Sequence, residues 1–196
     1  MAEDTSPEPR RQSCDRPLVF PSLPARLFRD VIGVDADAIF APDEYEGESW
    51  SASRRLTDPV TGESQVSLVS VKGAVLRHQH RHLFFGLLKA CEKLGNTVEE
   101  FREGPVKLEV HDRGLIDFIY GRYSGQAFRS FCLGLRDLVD ATVVIESLTF
   151  RWAFHLVDDY SFLEAVGGRN VSIGFSLNPR PHASERRAAE GGHHGS

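Results

Sequence analysis

The chain has 196 residues, 41% of them hydrophobic and 26% charged, which is enough for one well-packed domain with loose ends or two very small ones. No run approaches the roughly 20 consecutive apolar residues of a membrane helix, and the opening MAEDTSPEPRRQ lacks the hydrophobic core of a secretory signal. A formal net charge of −5 argues against wholesale coating of nucleic acid, which is driven by phosphate neutralisation, and the scattered Cys14, Cys91 and Cys132 fit a reducing cytoplasm better than a disulfide framework.

Residues 1–16, rich in Pro, Glu, Arg and Ser, are expected to be a disordered tail, and residues 179–196 another. The folded region is then 17–178. Leu23 to Ile32 predicts a short helix anchored by Leu27, Phe28 and Val31. An acidic run follows, with Asp35, Asp37, Asp43, Glu44, Glu46 and Glu48 and no basic residue among them, and a loop is expected as far as Ser53. Arg54–Leu56 and Val66–Val71 look like strands joined by a hairpin turn at DPVTG. Val75 to Leu94 is the longest helical pattern, carrying Phe84, Leu87, Leu88, Cys91 and Leu94 on one face. Gly95-Asn96 should end it, although Val98–Arg102 could add a turn. Val106, Leu108 and Val110 alternate with Lys107 and Glu109 as a half-buried strand does.

The segment Asp112–Leu138 carries the clearest mechanism. It predicts two helices joined by a turn at Gly121–Gly125, with Asp112 capping the first and Ser124 the second. Phe128, Phe131, Leu135 and Leu138 repeat at three and four residues, so one face of the second helix should be buried. Gln126, Arg129, Ser130 and Leu133 are left outside, with Arg136 near the far end and Arg122 and Tyr123 in the turn. From Gly121 to Leu138 the charged residues are Arg122, Arg129, Arg136 and Asp137, so this motif is locally positive in an acidic chain. Three strand-like runs follow, Ala141–Ser147, Phe150–Val157 and Val171–Leu177, with 158–168 as a connection. The order of elements predicts an α+β fold, a winged helix-turn-helix with an additional N-terminal strand and helix extension.

Such a motif presents its second helix to the DNA major groove. Glutamine suits adenine there and arginine suits guanine, while Ser124, Ser130, Arg122 and Tyr123 suit phosphate. The plainer alternative for these residues is the solvated face of an ordinary amphipathic helix, since Arg and Gln are good helix formers. His78 and His82 share a helical face at the spacing zinc prefers, but no Glu lies between them as in zinc proteases, and a polar helix start is the simpler reading. His111 and His155 are expected to be structural. The carboxylate pairs Asp158-Asp159 and Glu99-Glu100 suit a turn and a helix end, and no nucleophile elbow, P-loop or dinucleotide fingerprint is present. No enzyme activity, metal or cofactor is expected.

Several stretches together resemble the first winged-helix domain of plasmid replication initiator (Rep) proteins of the TrfA type. They are Leu23-Pro24-Ala25-Arg26-Leu27-Phe28, Val71-Lys72-Gly73 with Leu76, Leu83–Leu88, Val106–Val110, Leu115–Gly121, Ser124–Phe128, Leu135–Leu138 and Trp152–Leu156. The resemblance implies binding to repeated origin sequences in duplex DNA, control by a dimer-to-monomer change, and contacts with host replication proteins. It makes Gln126, Arg129, Ser130 and Arg136 the DNA-facing candidates. Members of that family usually carry a second winged helix, for which this chain leaves no room, and their DNA-binding domains tend to be basic. A winged-helix protein-interaction or dimerisation module, or a regulator with little DNA affinity of its own, is therefore the alternative. The acidic run would oppose DNA if it lay beside the motif.

Overall fold

The computed structural model describes residues 22–57, 61–164, 171–178 and 182–183, so most of both expected tails and part of the DPVTG turn lie outside it. The N-terminal helix forms where expected. Helix α1 (Leu23–Leu27) carries Pro24 in its first turn, where a missing N–H is harmless, and runs into a π-helical turn at Phe28–Ile32. Leu27, Phe28 and Ile32 are buried there. The acidic segment is not wholly a loop, because Ala36, Ala38 and Ile39 bury one face of a short helix, α2 (Ala36–Ile39). Strand β1 (Trp50–Thr57) starts before the expected Arg54. The Trp50 indole donates to the Ala38 carbonyl at 2.9 Å and meets the Tyr45 ring at 5.1 Å, which pins the strand's beginning. It pairs antiparallel with β2 (Ser64–Lys72), from Trp50 opposite Val71 to Thr57 opposite Ser64.

The long helix, α3 (His78–Lys93), begins three residues later than its apolar pattern suggests. Arg77 is extended, and the buried Leu76 turns its carbonyl to the Ala41 N–H at 2.7 Å. At the far end, the Asn96 N–H reaches the Cys91 carbonyl and the Gly95 N–H that of Glu92, a Schellman closure. Val98–Arg102 therefore does not prolong α3. It belongs to a separate helix, α4 (Val98–Glu103), whose start is fixed by the Thr97 N–H donating to Glu100 at 2.9 Å. That bond, with a second from Asn96, holds the Glu100 carboxyl below its usual range.

Strand β3 (Val106–His111) leads into α5 (Asp112–Tyr120) and α6 (Gly125–Asp140). Ser124 caps α6 as expected, its Oγ accepting from the Ala127 N–H at 3.1 Å. Asp112 does not cap α5. It is the helix's first residue, and its buried carboxylate lies 3.1 Å from Nδ1 of His111, the true N-cap.

Two antiparallel sheets complete the α+β fold. The larger has the order β1-β2-β4-β5-β8, with β4 (Thr142–Glu146), β5 (Arg151–His155) and β8 (His182–Ala183). The smaller has the order β3-β7-β6, with β6 (Val157–Glu164) and β7 (Val171–Leu177). The strands just after α6 thus form a hairpin that extends the N-terminal one within the larger sheet. The hairpin beside α6 is β6–β7, and β6 occupies most of the stretch expected to be a connection. A β-bulge hides this strand in the sequence: Val157 pairs with Leu177 and Asp159 with Ser176, so Asp158 is an extra residue that breaks the alternation.

Helices α1, α5 and α6 pack on α3, whose Leu83, Phe84, Leu87 and Leu88 are at most 1% exposed. Two glycines let its neighbours approach. A Cβ at Gly134 of α6 would sit 2.6 Å from Leu83 Cδ2, and one at Gly86 of α3 would sit 2.7 Å from Ile119 Cγ1 of α5. Gly114, on exposed α5 surface, would place a Cβ in open space.

This contrast makes one test. Gly114→Ala should raise stability by up to about 1 kcal/mol through helix propensity alone. Gly134→Ala has the same propensity gain but overpacks a buried contact at a cost of about 1–3 kcal/mol, so the urea midpoint should fall. A midpoint that rose in both variants would show that the α3–α6 contact has slack.

Candidate functional site

The geometry of α6 follows from its sequence at nearly every position. Phe131, Leu135 and Leu138 are buried, and Gly134 lies against α3. Phe128, expected on the same stripe, is only half-buried: it packs on Tyr123 at 6.4 Å and on Phe162 of β6 at 6.0 Å. Gly121 turns the chain between the two helices with φ of 78°, a left-handed conformation that favours glycine, and its N–H returns to the Asp117 carbonyl at 2.8 Å.

The seven candidate residues lie in the α5–α6 turn and along α6. Arg122, Gln126, Arg129, Ser130 and Arg136 are exposed, and Ser124 is half-buried by its capping role. Tyr123 is 37% exposed, with the Arg113 guanidinium 5.3 Å from its ring centre. Four of the seven, Arg122, Ser124, Gln126 and Ser130, line a shallow cleft of about 200 Å³ together with Tyr120 and Ala127. Arg129 and Arg136 are not part of that lining. Arg136 has a 3.5 Å contact with Asp137, but its own side chain is 59% exposed and a pair of this kind contributes little.

A second cleft of about 220 Å³ shares Tyr120 and Ser130 with the first and continues along α6 past Leu133 to Asp137. Its floor is a pairing that spacing alone did not reveal. His80 is 4% exposed, its Nε2 lies 3.1 Å from the Asp137 carboxylate, and its Nδ1 accepts the Arg77 N–H at 2.9 Å. The backbone donor leaves Nδ1 as the acceptor, so Nε2 carries the proton that Asp137 receives. Ser130, His80 and Asp137 are neighbours here, but both ring nitrogens are committed, and none remains to activate the hydroxyl. The dyad ties the start of α3 to α6. Burial holds the Tyr120 hydroxyl above its ordinary range, with a smaller contribution from Cys132, so it stays a donor at the junction of the two clefts.

His82 and His155 are also engaged. His82 donates from Nε2 to the Ile119 carbonyl at 2.9 Å, so it is not free to join His78 around a metal through that nitrogen. No group of three or more metal-binding side chains occurs among the described residues. His155 donates from Nδ1 to the Val139 and Ala141 carbonyls at 3.0 and 3.1 Å, tying β5 to the end of α6.

Charge is graded along α6. From Arg122 to the helix end there are three arginines and two aspartates, and both aspartates, Asp137 and Asp140, belong to the last turn. The acidic segment lies towards the same end. Asp37 pairs with Arg81 at 2.5 Å, the Tyr45 carbonyl accepts from Arg77 at 3.1 Å, and His80 between those arginines touches Asp137. Along this helix the positive part is therefore the turn and first half of α6.

No family model matches the chain, and no curated protein does. Among solved structures, a selenomethionine derivative of domains 2 and 3 of RctB matches with 13% identity and a TM-score of 0.44, covering 72% of this chain and 56% of that one. A second structure of the RctB domains 2–3 matches with 13% identity and a TM-score of 0.46, covering 72% and 53%. The chain thus spans a little over half the length of those structures.

Deleting either partner of the dyad should leave a polar atom short of its bond. His80→Ala should lower stability by about 2–3 kcal/mol, since it removes a buried ring and leaves the Arg77 N–H without its acceptor, and Asp137→Ala by about 1–3 kcal/mol, since it leaves the buried Nε2–H of His80 unpaired. Their double-mutant cycle in urea should give a coupling of about 0.5–3 kcal/mol. Strictly additive losses would mean that the contact contributes nothing.

Proposed function

We propose that the chain is a duplex-DNA-binding protein of winged-helix type. On this reading α3, β3, α5, α6 and the β6–β7 hairpin are the three helices, first strand and wing, and the β1–β2 and β4–β5 hairpins are additions that form a second sheet. The observation that carries it is the first half of α6, where Gln126, Arg129 and Ser130 stand exposed on a helix whose opposite face is fixed in the core by Phe131, Leu135 and Leu138. That is how a recognition helix enters the major groove, with its N-terminal residues towards base edges. Arg122 at the turn and Ser124 at the helix start are placed for phosphate, and Gln126 and Arg129 for bases. The weak positive charge of this surface implies few phosphate contacts. With the resemblance to plasmid replication initiators, iterated origin repeats are the proposed target, with host replication proteins as further partners.

A second reading is favoured by a different observation. On the larger sheet Val66 and Leu68 are 63% and 46% exposed, and Leu148 at the β4–β5 turn is 96% exposed. Apolar side chains grouped on an open sheet suit a protein partner, including another copy of this chain. A stable dimer by light scattering that ignores DNA would favour this reading.

Fluorescence anisotropy on a random duplex and on plasmid-origin repeats across a salt series tests the first. The logarithm of the affinity should fall with log salt by about 0.9 per phosphate neutralised. Arg122→Ala should reduce that slope by about one, whereas Arg129→Ala should cost about 1–3 kcal/mol and relax sequence preference. Absent or salt-independent binding rejects the proposal.

A further inference from the structure

Leu133 stands near the middle of α6, 45% exposed, on the face that the duplex reading turns towards DNA. Other exposed apolar rings in this part of the molecule have cations or rings against them. Phe118 has the Lys93 ammonium 3.9 Å from its ring centre, Tyr123 has Arg113, and Phe162 packs on Phe128 and Tyr160 at 6.0 and 5.7 Å. Leu133 instead forms the margin of the cleft floored by His80 and Asp137, among the polar Gln79 and Ser130. Arg129 lies four residues before it and Arg136 three after, so the three side chains share one stripe of the helix with the leucine between two cations.

A leucine can neither donate nor accept a hydrogen bond. In the major groove, the apolar feature that separates one base from the others is the 5-methyl group of thymine. A phosphate-only contact would use the arginines and gain nothing from the leucine between them. We infer that Leu133 is a specificity-determining residue, selecting a thymine 5-methyl under the middle of α6. This rests on the duplex reading above. One helical turn rises about 5.4 Å, and base pairs are about 3.4 Å apart. The selected thymine therefore lies about one to two steps from the base read by Arg129, for which guanine is the preferred partner.

The experiment begins with selection of binding sequences from a random duplex library using the full chain. Each thymine of the selected duplex is then replaced singly by deoxyuridine, which removes only the methyl group. One position should lose about fourfold in affinity, the equivalent of the roughly 0.8 kcal/mol of one buried methyl at about 1.4 kcal/mol per tenfold. The Leu133→Ala protein, with a better helix former at an exposed site and unchanged circular dichroism, should bind more weakly and be indifferent to that replacement. If the wild-type chain binds the selected duplex but tolerates every deoxyuridine, or if Leu133→Ala keeps the full sensitivity, this inference is overturned while the duplex reading stands. If no duplex is enriched and none is bound at low salt, both are overturned.

Discussion

The close seating of α6 on α3 is the constraint from which the rest of the surface follows. Gly134 lets Leu83 occupy the space that any other side chain would claim, and Phe131, Leu135 and Leu138 bury the adjoining face. A helix clamped in this way cannot rotate about its axis without exposing large apolar side chains. The orientation of Gln126, Arg129, Ser130 and Leu133 is thus a consequence of the core, and needs no stabilisation from those residues themselves.

The polar contacts refine that orientation. His80 and Asp137 join the first turn of α3 to the last turns of α6, and His155 bonds the final carbonyls of the same helix. Each has a defined acceptor and donor, which is the condition for a buried polar group to be tolerated. The dyad could be mistaken for a proton relay because Ser130 lies nearby. The Arg77 N–H on Nδ1 gives it a structural role instead. It also brings carboxylate to one end of α6, leaving the arginines of the turn and first half to determine the sign at the other.

Two sheets divide the labour around this helical centre. The smaller, β3-β7-β6, lies beside α5 and α6, and Phe162 on β6 covers one edge of Phe128. The larger joins the N-terminal hairpin to the strands after α6 and presents Val66, Leu68 and Leu148 to solvent.

Local chemistry determined much of this from the chain alone. Three- and four-residue spacing marked the buried faces of α3 and α6, apart from Leu94, which is 59% exposed just beyond α3, and the half-buried Phe128, while Ser124 marked a cap, Gly121 a turn, and period two marked β3 and β7. Each signal resides within a few neighbouring residues. The tertiary structure alone decided the partnerships: that β4 and β5 join β2, that β6 pairs with β7 across a bulge, and that His80 meets an aspartate 57 residues away. Alternation shows that one face of a strand is buried, but carries nothing about which strand lies beside it. A buried histidine likewise shows its partner only when two helices, each placed by its own apolar stripe, have packed together.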